Sequence, residues 1–179
     1  MKILFMGAPA SGKGEVSRRL GKTLDLPVIS TGEELRNISE ESIWYETIHK
    51  DMDEGKLVEN SIVGSLLKEL ASSAKYTKGY ILDGWARRMS DLEHFDPKPE
   101  IAILLKISEE TARKRIVGRN RADDSDSILA GRFKIFENDT VPVINMYKDQ
   151  GLLLSIDGEG TKDEVFALTL KALASSGAL

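Results

Sequence analysis

Gly7-Ala8-Pro9-Ala10-Ser11-Gly12-Lys13-Gly14 follows the apolar run Ile3-Leu4-Phe5-Met6 and leads into a stretch with Val16, Leu20 and Leu24 spaced four apart. The order reads strand, glycine-rich loop, lysine, helix. Glycines let such a loop turn until its backbone N–H groups converge, and a helix N-terminus behind them favours negative charge. Lys13 adds a point charge suited to the terminal phosphates of a nucleotide. The four-residue spacing lays one helix face against a sheet. Glycine-rich turns alone are common, but these parts in this order point to a phosphate site. The residue after the lysine is Gly14, so the general P-loop pattern ending in Lys-Ser/Thr is not met.

Beyond this unit, strand-length apolar runs recur at 26–29, 80–82, 101–105 and 152–156. Each is apolar on both faces, as in parallel strands covered by helices. Helical patterns separate them, for example Ile62-Val63-Leu66-Leu67-Leu70 and Val165-Phe166-Leu168-Thr169-Leu170-Leu173. The alternation predicts an α/β fold, a parallel five-stranded sheet with helices on both faces and right-handed crossovers. Residues 30–60 read as several short polar helices, and residues 118–127 are too charged for a core. Both stretches begin near carboxyl ends of strands, where ligands of open parallel sheets sit. They are candidate covers over a site, or else ordinary surface loops.

The chain has 179 residues, room for one domain with small inserted lobes, and a chain of that length buries roughly 70% of its unfolded surface. It contains no cysteine, which excludes disulfides and thiolate metal sites. His49 and His94 have no ligand-like spacing, so no zinc is expected. Net charge is −4, which argues against nucleic acid. Basic residues cluster between Arg113 and Arg132, but among acids and without interleaved aromatics, a pattern suited to a small polyanion. No leader peptide is expected, and no apolar stretch approaches the roughly 20 residues of a membrane helix. A soluble, cytoplasmic protein is the expectation.

Further motifs carry chemistry. In Ser30-Thr31-Gly32-Glu33-Glu34-Leu35-Arg36, Ser30 or Thr31 can simply cap a helix, or Thr31 and Arg36 can hold a nucleotide. Asp83 stands at the end of a predicted strand beside the loop, where a carboxylate can hold Mg²⁺ through its waters. Arg115 and Arg119 share one face of a helix predicted to begin near Ser108. Arg121 and Arg132 bracket an acidic stretch. Surface arginines often pair weakly with acids, whereas phosphoryl transfer needs a clamp of this kind, because charge spreads over the equatorial oxygens.

The loop G-x-P-x-S-G-K-G resembles that of nucleoside monophosphate kinases, adenylate kinase above all. Thr31-Gly-Glu-Glu-Leu-Arg36 resembles the family's T-G-[DE]-x-L-R element, and Asp83-Gly84-Trp85-Ala86-Arg87 its D-G-[FY]-P-R. Arg115-x-x-x-Arg119, Arg121-Ala-Asp123-Asp124 and Arg132 resemble the lid. The resemblance continues through Thr140–Tyr147 to Asp157–Asp163 and spans nearly the whole chain. It implies a P-loop NTPase-like kinase moving the terminal phosphoryl of ATP·Mg²⁺ onto AMP. Ala10, Ser11, Gly12, Lys13, Gly14 and Glu15 would then meet the ATP phosphates, with Arg115 over the donor base, Arg119 on the donor phosphates and the Gly160 backbone on the adenine. Thr31, Leu35, Arg36, Lys56, Leu57, Val58, Gly84, Arg87 and Asp91 would hold AMP, and Arg121 and Arg132 would bridge to the transferring group. Lys13, Arg87, Arg119, Arg121 and Arg132 would be catalytic. Residues 30–59 would form an inserted acceptor lobe and 117–128 a very short lid on a single kinase domain, expected to be a monomer.

Four departures from the family pattern accompany this. Glu15 replaces a threonine beside the donor phosphates. A carboxylate 4 Å from a phosphate loses about 4 kcal/mol at an effective dielectric near 20, more than the roughly 0.3–1 kcal/mol gained from the helix dipole, so Glu15 is expected to turn away or to help hold Mg²⁺. Ala86 replaces a proline that is cis in the family; a cis bond before a non-proline costs about 2.5–4 kcal/mol, which predicts a trans bond or a local rearrangement. Asp91 replaces a glutamine that reads adenine. It would either be solvated or accept from guanine N1–H and N2–H₂. The lid is shorter than in the short-lid members. The alternatives are a kinase preferring GMP or a pyrimidine monophosphate, or a nucleotide-binding sensor or assembly factor with weakened catalysis.

Overall fold

The computed structural model describes residues 1–116 and 125–178. Strand β1 (Lys2–Gly7) runs into the glycine loop and helix α1 (Lys13–Leu24), and β2 (Val28–Ser30) follows. Helices α2 (Thr31–Arg36), α3 (Tyr45–Asp53) and α4 (Asn60–Ser72) lead to β3 (Tyr80–Asp83). These are the short helices expected between residues 30 and 60. A single turn, α5 (Asp91–His94), precedes β4 (Ile101–Lys106). Then come α6 (Glu109–Ile116), α7 (Asp126–Ile135), α8 (Val141–Asp149), β5 (Leu153–Asp157) and α9 (Lys162–Ser175).

All five strands pair in parallel in the order β2-β3-β1-β4-β5. Alternate residues of each strand feed the two faces. Ile3, Phe5, Ile81, Ile103 and Leu105 pack with Val16 and Leu20 of α1 and Val165 and Leu173 of α9. Leu4, Met6, Ile29, Leu82, Ala102 and Leu104 pack with Ile62, Val63 and Leu67 of α4 and Val143, Ile144 and Tyr147 of α8. Strands covered on both sides therefore need no polar face, which is why they read as uninterrupted apolar runs.

This order also places the site. Neighbouring strands β1 and β3 send their connections in opposite directions along the sheet, β1 toward β2 and β3 toward β4. Right-handed crossovers then carry the two connections to opposite faces. A crevice opens between the carboxyl ends of β1 and β3.

One boundary differs from the sequence pattern. Residues 26 and 27 are not part of β2: Asp25 is left-handed (φ 52°) and the Leu26 N–H donates to the Gly21 carbonyl, ending α1. Leu26 thus belongs to the helix cap, an assignment its side chain does not reveal. A feature that the sequence pattern does not show is a π-helical turn, Phe136–Thr140, between α7 and α8. The Val141 N–H reaches back five residues to Phe136. Pro142 explains it, since proline has no N–H to donate and its ring collides with the carbonyl four residues back. Residues 117–124, most of the expected lid, lie outside the described residues. Its last part is the start of α7, where the Ser125 hydroxyl accepts from the Ile128 N–H.

Among the described residues no helix is long and apolar enough to cross a membrane. Gly21 sits where α1 touches the sheet: a Cβ there would fall 2.7 Å from Val28 Cγ2 and 2.8 Å from the Leu26 carbonyl oxygen. Gly21→Ala should therefore destabilise the protein by about 1–3 kcal/mol despite alanine's higher helix propensity, seen as a lower urea midpoint with unchanged slope.

Candidate active site

Gly7 ends β1 at φ 146°, and a Cβ on it would lie 2.6 Å from the Leu105 carbonyl oxygen. The loop leaves the sheet there because only glycine passes β4 so closely. Ala10 (φ 59°) and Gly12 (φ 90°) take left-handed turns, and Gly12 starts α1 by accepting from the Glu15 and Val16 N–H groups. Lys13 arches back over the loop, its Nζ donating to the Gly7 carbonyl at 2.8 Å, the Ala8 carbonyl at 2.9 Å and Ser11 Oγ at 3.3 Å. The ammonium is thereby centred above a helix N-terminus, the arrangement that collects phosphate oxygens.

Glu15 lies along α1, its Oε2 3.4 Å from Arg18 Nη2, while Arg18 Nη1 donates to Glu33 Oε1 at 2.8 Å. The carboxylate thus leans toward a cation one turn on, and Arg18 ties α1 to α2. Of the two expectations, turning away matches this geometry.

Asp83 ends β3 and is only 8% exposed. Its Oδ2 accepts from Ser30 Oγ at 3.5 Å, and its Oδ1 has no hydrogen-bond partner among the described residues. Burial pushes its pKa above the ordinary carboxylate range, outweighing the opposing pull of Lys13 and Arg87. A Cβ on Gly14 would come within 3.4 Å of Oδ2. The absent side chain at Gly14 keeps that oxygen uncovered.

A cavity partly open to solvent fills the crevice. It joins Lys13 of the loop to Thr31, Leu35 and Arg36 of α2, to Lys56, Leu57 and Val58 before α4, to Gly84, Arg87 and Asp91 after β3, and to Arg132 of α7. Those expected acceptor-site and catalytic residues share one wall system although they lie up to 119 positions apart. The Thr31 hydroxyl is buried without a partner. Gly32 makes room for Arg36, whose Nη2 lies 3.2 Å from where a Cβ would stand. Gly55 (φ 73°) lets Ile128 and the Arg132 stem pack against the loop before Lys56, which brings α7 over the cavity.

Arg87 and Arg132 repel each other across this space. Burial first, then the Arg132 charge, lowers the pKa of Arg87 to about 10. Arg87 Nε donates to the Gly84 carbonyl at 3.0 Å, which aims the side chain along the wall. Ala86 is left-handed (φ 55°) and fully buried, and no cis peptide occurs among the described residues. A trans bond with a rearranged residue 86 is what the loss of proline predicted.

Asp91 departs from the solvated expectation. It is 2% exposed rather than solvated. Its Oδ2 accepts the backbone N–H groups of Arg87 (2.9 Å) and Arg88 (3.0 Å), and its Oδ1 accepts from Arg88 Nε (3.0 Å). A carboxylate engaged by three donors organises the turn after Ala86, so contact with guanine is not what holds it there. Arg88 itself is a cavity residue that sequence reading missed. Its signal was the i, i+3 spacing to Asp91.

The remaining expected residues form a second cluster. Arg115 Nη2 donates to the carbonyls of Gly158 (2.6 Å) and Gly160 (2.9 Å), and its Nη1 to that of Ser11 (3.4 Å). Arg115, Gly160 and the loop residues Ala10, Ser11, Gly12 and Gly14 thus adjoin on the other side of Lys13. Arg119 and Arg121 lie outside the described residues.

A family model described as adenylate kinase matches residues 5–152. An adenylate kinase of Mycobacterium tuberculosis is 34% identical, the alignment covering 97% of this chain and 99% of that protein. One of Corynebacterium urealyticum is 32% identical over the same shares. The chain belongs to the adenylate kinase family. Membership makes it an ATP-dependent phosphotransferase, a nucleoside monophosphate kinase on a P-loop α/β fold.

For an adenylate kinase the donor set around Asp83 suits a hard cation that keeps its waters: one buried carboxylate with an orphan oxygen, and no cluster of three metal-binding side chains among the described residues. Because its folded pKa lies above the unfolded value of about 4, the folded state holds the proton between those two values. Stability therefore falls as pH rises through that interval and stays lower above it. Asp83→Asn should raise the melting temperature at pH 7 and flatten its dependence between pH 4 and 7, as read by thermal denaturation without nucleotide.

Proposed function

We propose that this kinase catalyses the reversible transfer of the terminal phosphoryl of ATP to AMP, giving two ADP. The observation that carries the reading is the single cavity in which Lys13, Arg36, Arg87 and Arg132 converge. A buried guanidinium whose pKa a neighbouring arginine helps to lower, as at Arg87, gains from an intervening anion. The transferring phosphoryl supplies one, with negative charge spread over its equatorial oxygens.

In this reading Lys13 and the N-terminus of α1 orient the donor phosphates, and Arg115 with the Gly160 backbone borders the donor base. Arg36 and Arg87 seat the AMP phosphate, and Arg132 spans acceptor and transferring group, joined by Arg119 and Arg121. Asp83 would hold Mg²⁺ through water, the ion supplying charge neutralisation on the ATP phosphates when bound. No general base is required, since the attacking phosphate oxygen is already anionic near neutral pH. Catalysis then rests on position and preorganised charge. Residues 30–59 act as the acceptor lobe and 117–128 as a short lid, their closure excluding water. A monomer working in the cytoplasm fits the same reading.

A coupled assay for ADP from ATP, AMP and Mg²⁺, beside calorimetric ATP binding, tests it. Turnover supports the kinase; tight ATP binding with no turnover would favour a nucleotide sensor. Arg87→Leu should lower kcat/KM for AMP by about 10²–10³. Its loss should appear chiefly in KM for AMP and in kcat, with ATP affinity shifting far less, as measured by varying each substrate in turn.

A further inference from the structure

Along one side of the acceptor cavity, intramolecular donors occupy the hydrogen-bond acceptors. Arg88 Nε donates to Asp91 Oδ1 and Arg88 Nη2 to the Val58 carbonyl, each at 3.0 Å. The backbone N–H groups of Arg87 and Arg88 take Asp91 Oδ2, and Arg87 Nε takes the Gly84 carbonyl. Val58, Gly84, Arg87, Arg88 and Asp91 all line the cavity. Arg88 retains 29% side-chain exposure, and no acceptor for its Nη1 lies among the described residues. This side of the cavity consequently offers donors.

Arg88 has its two Nη1 hydrogens and the second Nη2 hydrogen left to donate, and two neighbouring N–H groups match adjacent acceptors on a base. Guanine and hypoxanthine carry O6 and N7 in that relation. Adenine has an amino donor in place of O6, and two donors face to face leave both unsatisfied. Arg88 is also held at two points before any base arrives, so little side-chain freedom is lost on binding.

We propose that Arg88 reads the acceptor base, extending the acceptors of this kinase from AMP to 6-oxopurine monophosphates such as IMP and GMP, with Asp91 as the positioning residue that holds it. This rests on the reading of the cavity as the acceptor site. The test is a panel of AMP, IMP and GMP with saturating ATP·Mg²⁺ for the wild type, Arg88→Gln and Arg88→Lys. Wild type should use IMP and GMP with kcat/KM within about tenfold of AMP and of each other.

In Arg88→Gln the IMP:AMP ratio of kcat/KM should fall roughly 5- to 150-fold, because an amide offers both a donor and an acceptor. Arg88→Lys keeps a cation for Asp91 but loses the fork, and should lower the ratio as well. It carries the test should the glutamine variant fail to fold by circular dichroism. An unchanged ratio in a folded variant overturns the proposal, as does a wild type that uses AMP but neither 6-oxopurine. GMP exceeding IMP more than tenfold also overturns it, since the 2-amino group would then be read by an acceptor. Absence of turnover with every monophosphate, AMP included, instead defeats the kinase reading beneath it.

Discussion

Positive charge brought together in one buried crevice is the constraint on which this molecule turns. Arg87 is pressed by burial and by Arg132 to a pKa of about 10, and Lys13 spends its ammonium on loop carbonyls and Ser11. Asp83 beside them has its own pKa raised by burial. Perturbed groups of this kind gather where a protein binds charged ligands. The sheet order supplies the place, since the opposite departures of β1 and β3 open the crevice that these side chains share.

The turn after β3 shows how one substitution is absorbed. With Ala86 in place of proline, the chain reaches Arg87 through a left-handed residue, a conformation costing about 1–2 kcal/mol for a residue with a Cβ. Asp91 offsets that by collecting the next two backbone N–H groups and the Arg88 side chain. Charge-assisted bonds of this kind are stronger than neutral ones. Two positions that depart from the family pattern separately, 86 and 91, are thus parts of one local solution.

Arginines also connect separate elements. Arg18 joins α1 to α2 through Glu33, Arg88 joins the β3 turn to Val58, and Arg115 joins α6 to the loop after β5. Each link is an ion pair or a charged bond to a carbonyl, not a packed apolar contact. Such links are directional and are exchanged for ligand oxygens at lower cost than a core is repacked.

How much could be read before folding follows from the range of each interaction. The phosphate loop and the five parallel strands were legible because they rest on local spacing, glycine at a close approach and apolar periodicity, whereas the Arg36 and Arg87 positions were implied by the family resemblance. The end of α1 at Asp25, the π turn before Pro142, the buried role of Asp91 and the presence of Arg88 on the cavity wall were not. Each depends on a partner brought near in space: the Gly21 carbonyl, the Phe136 carbonyl, the N–H groups of the β3 turn, the Val58 carbonyl. Sequence by itself determined the strands, the phosphate loop and the glycines that let the chain turn there. Tertiary structure decided which of the site's hydrogen bonds are already spent, because that depends on distances and burial that residue order does not encode.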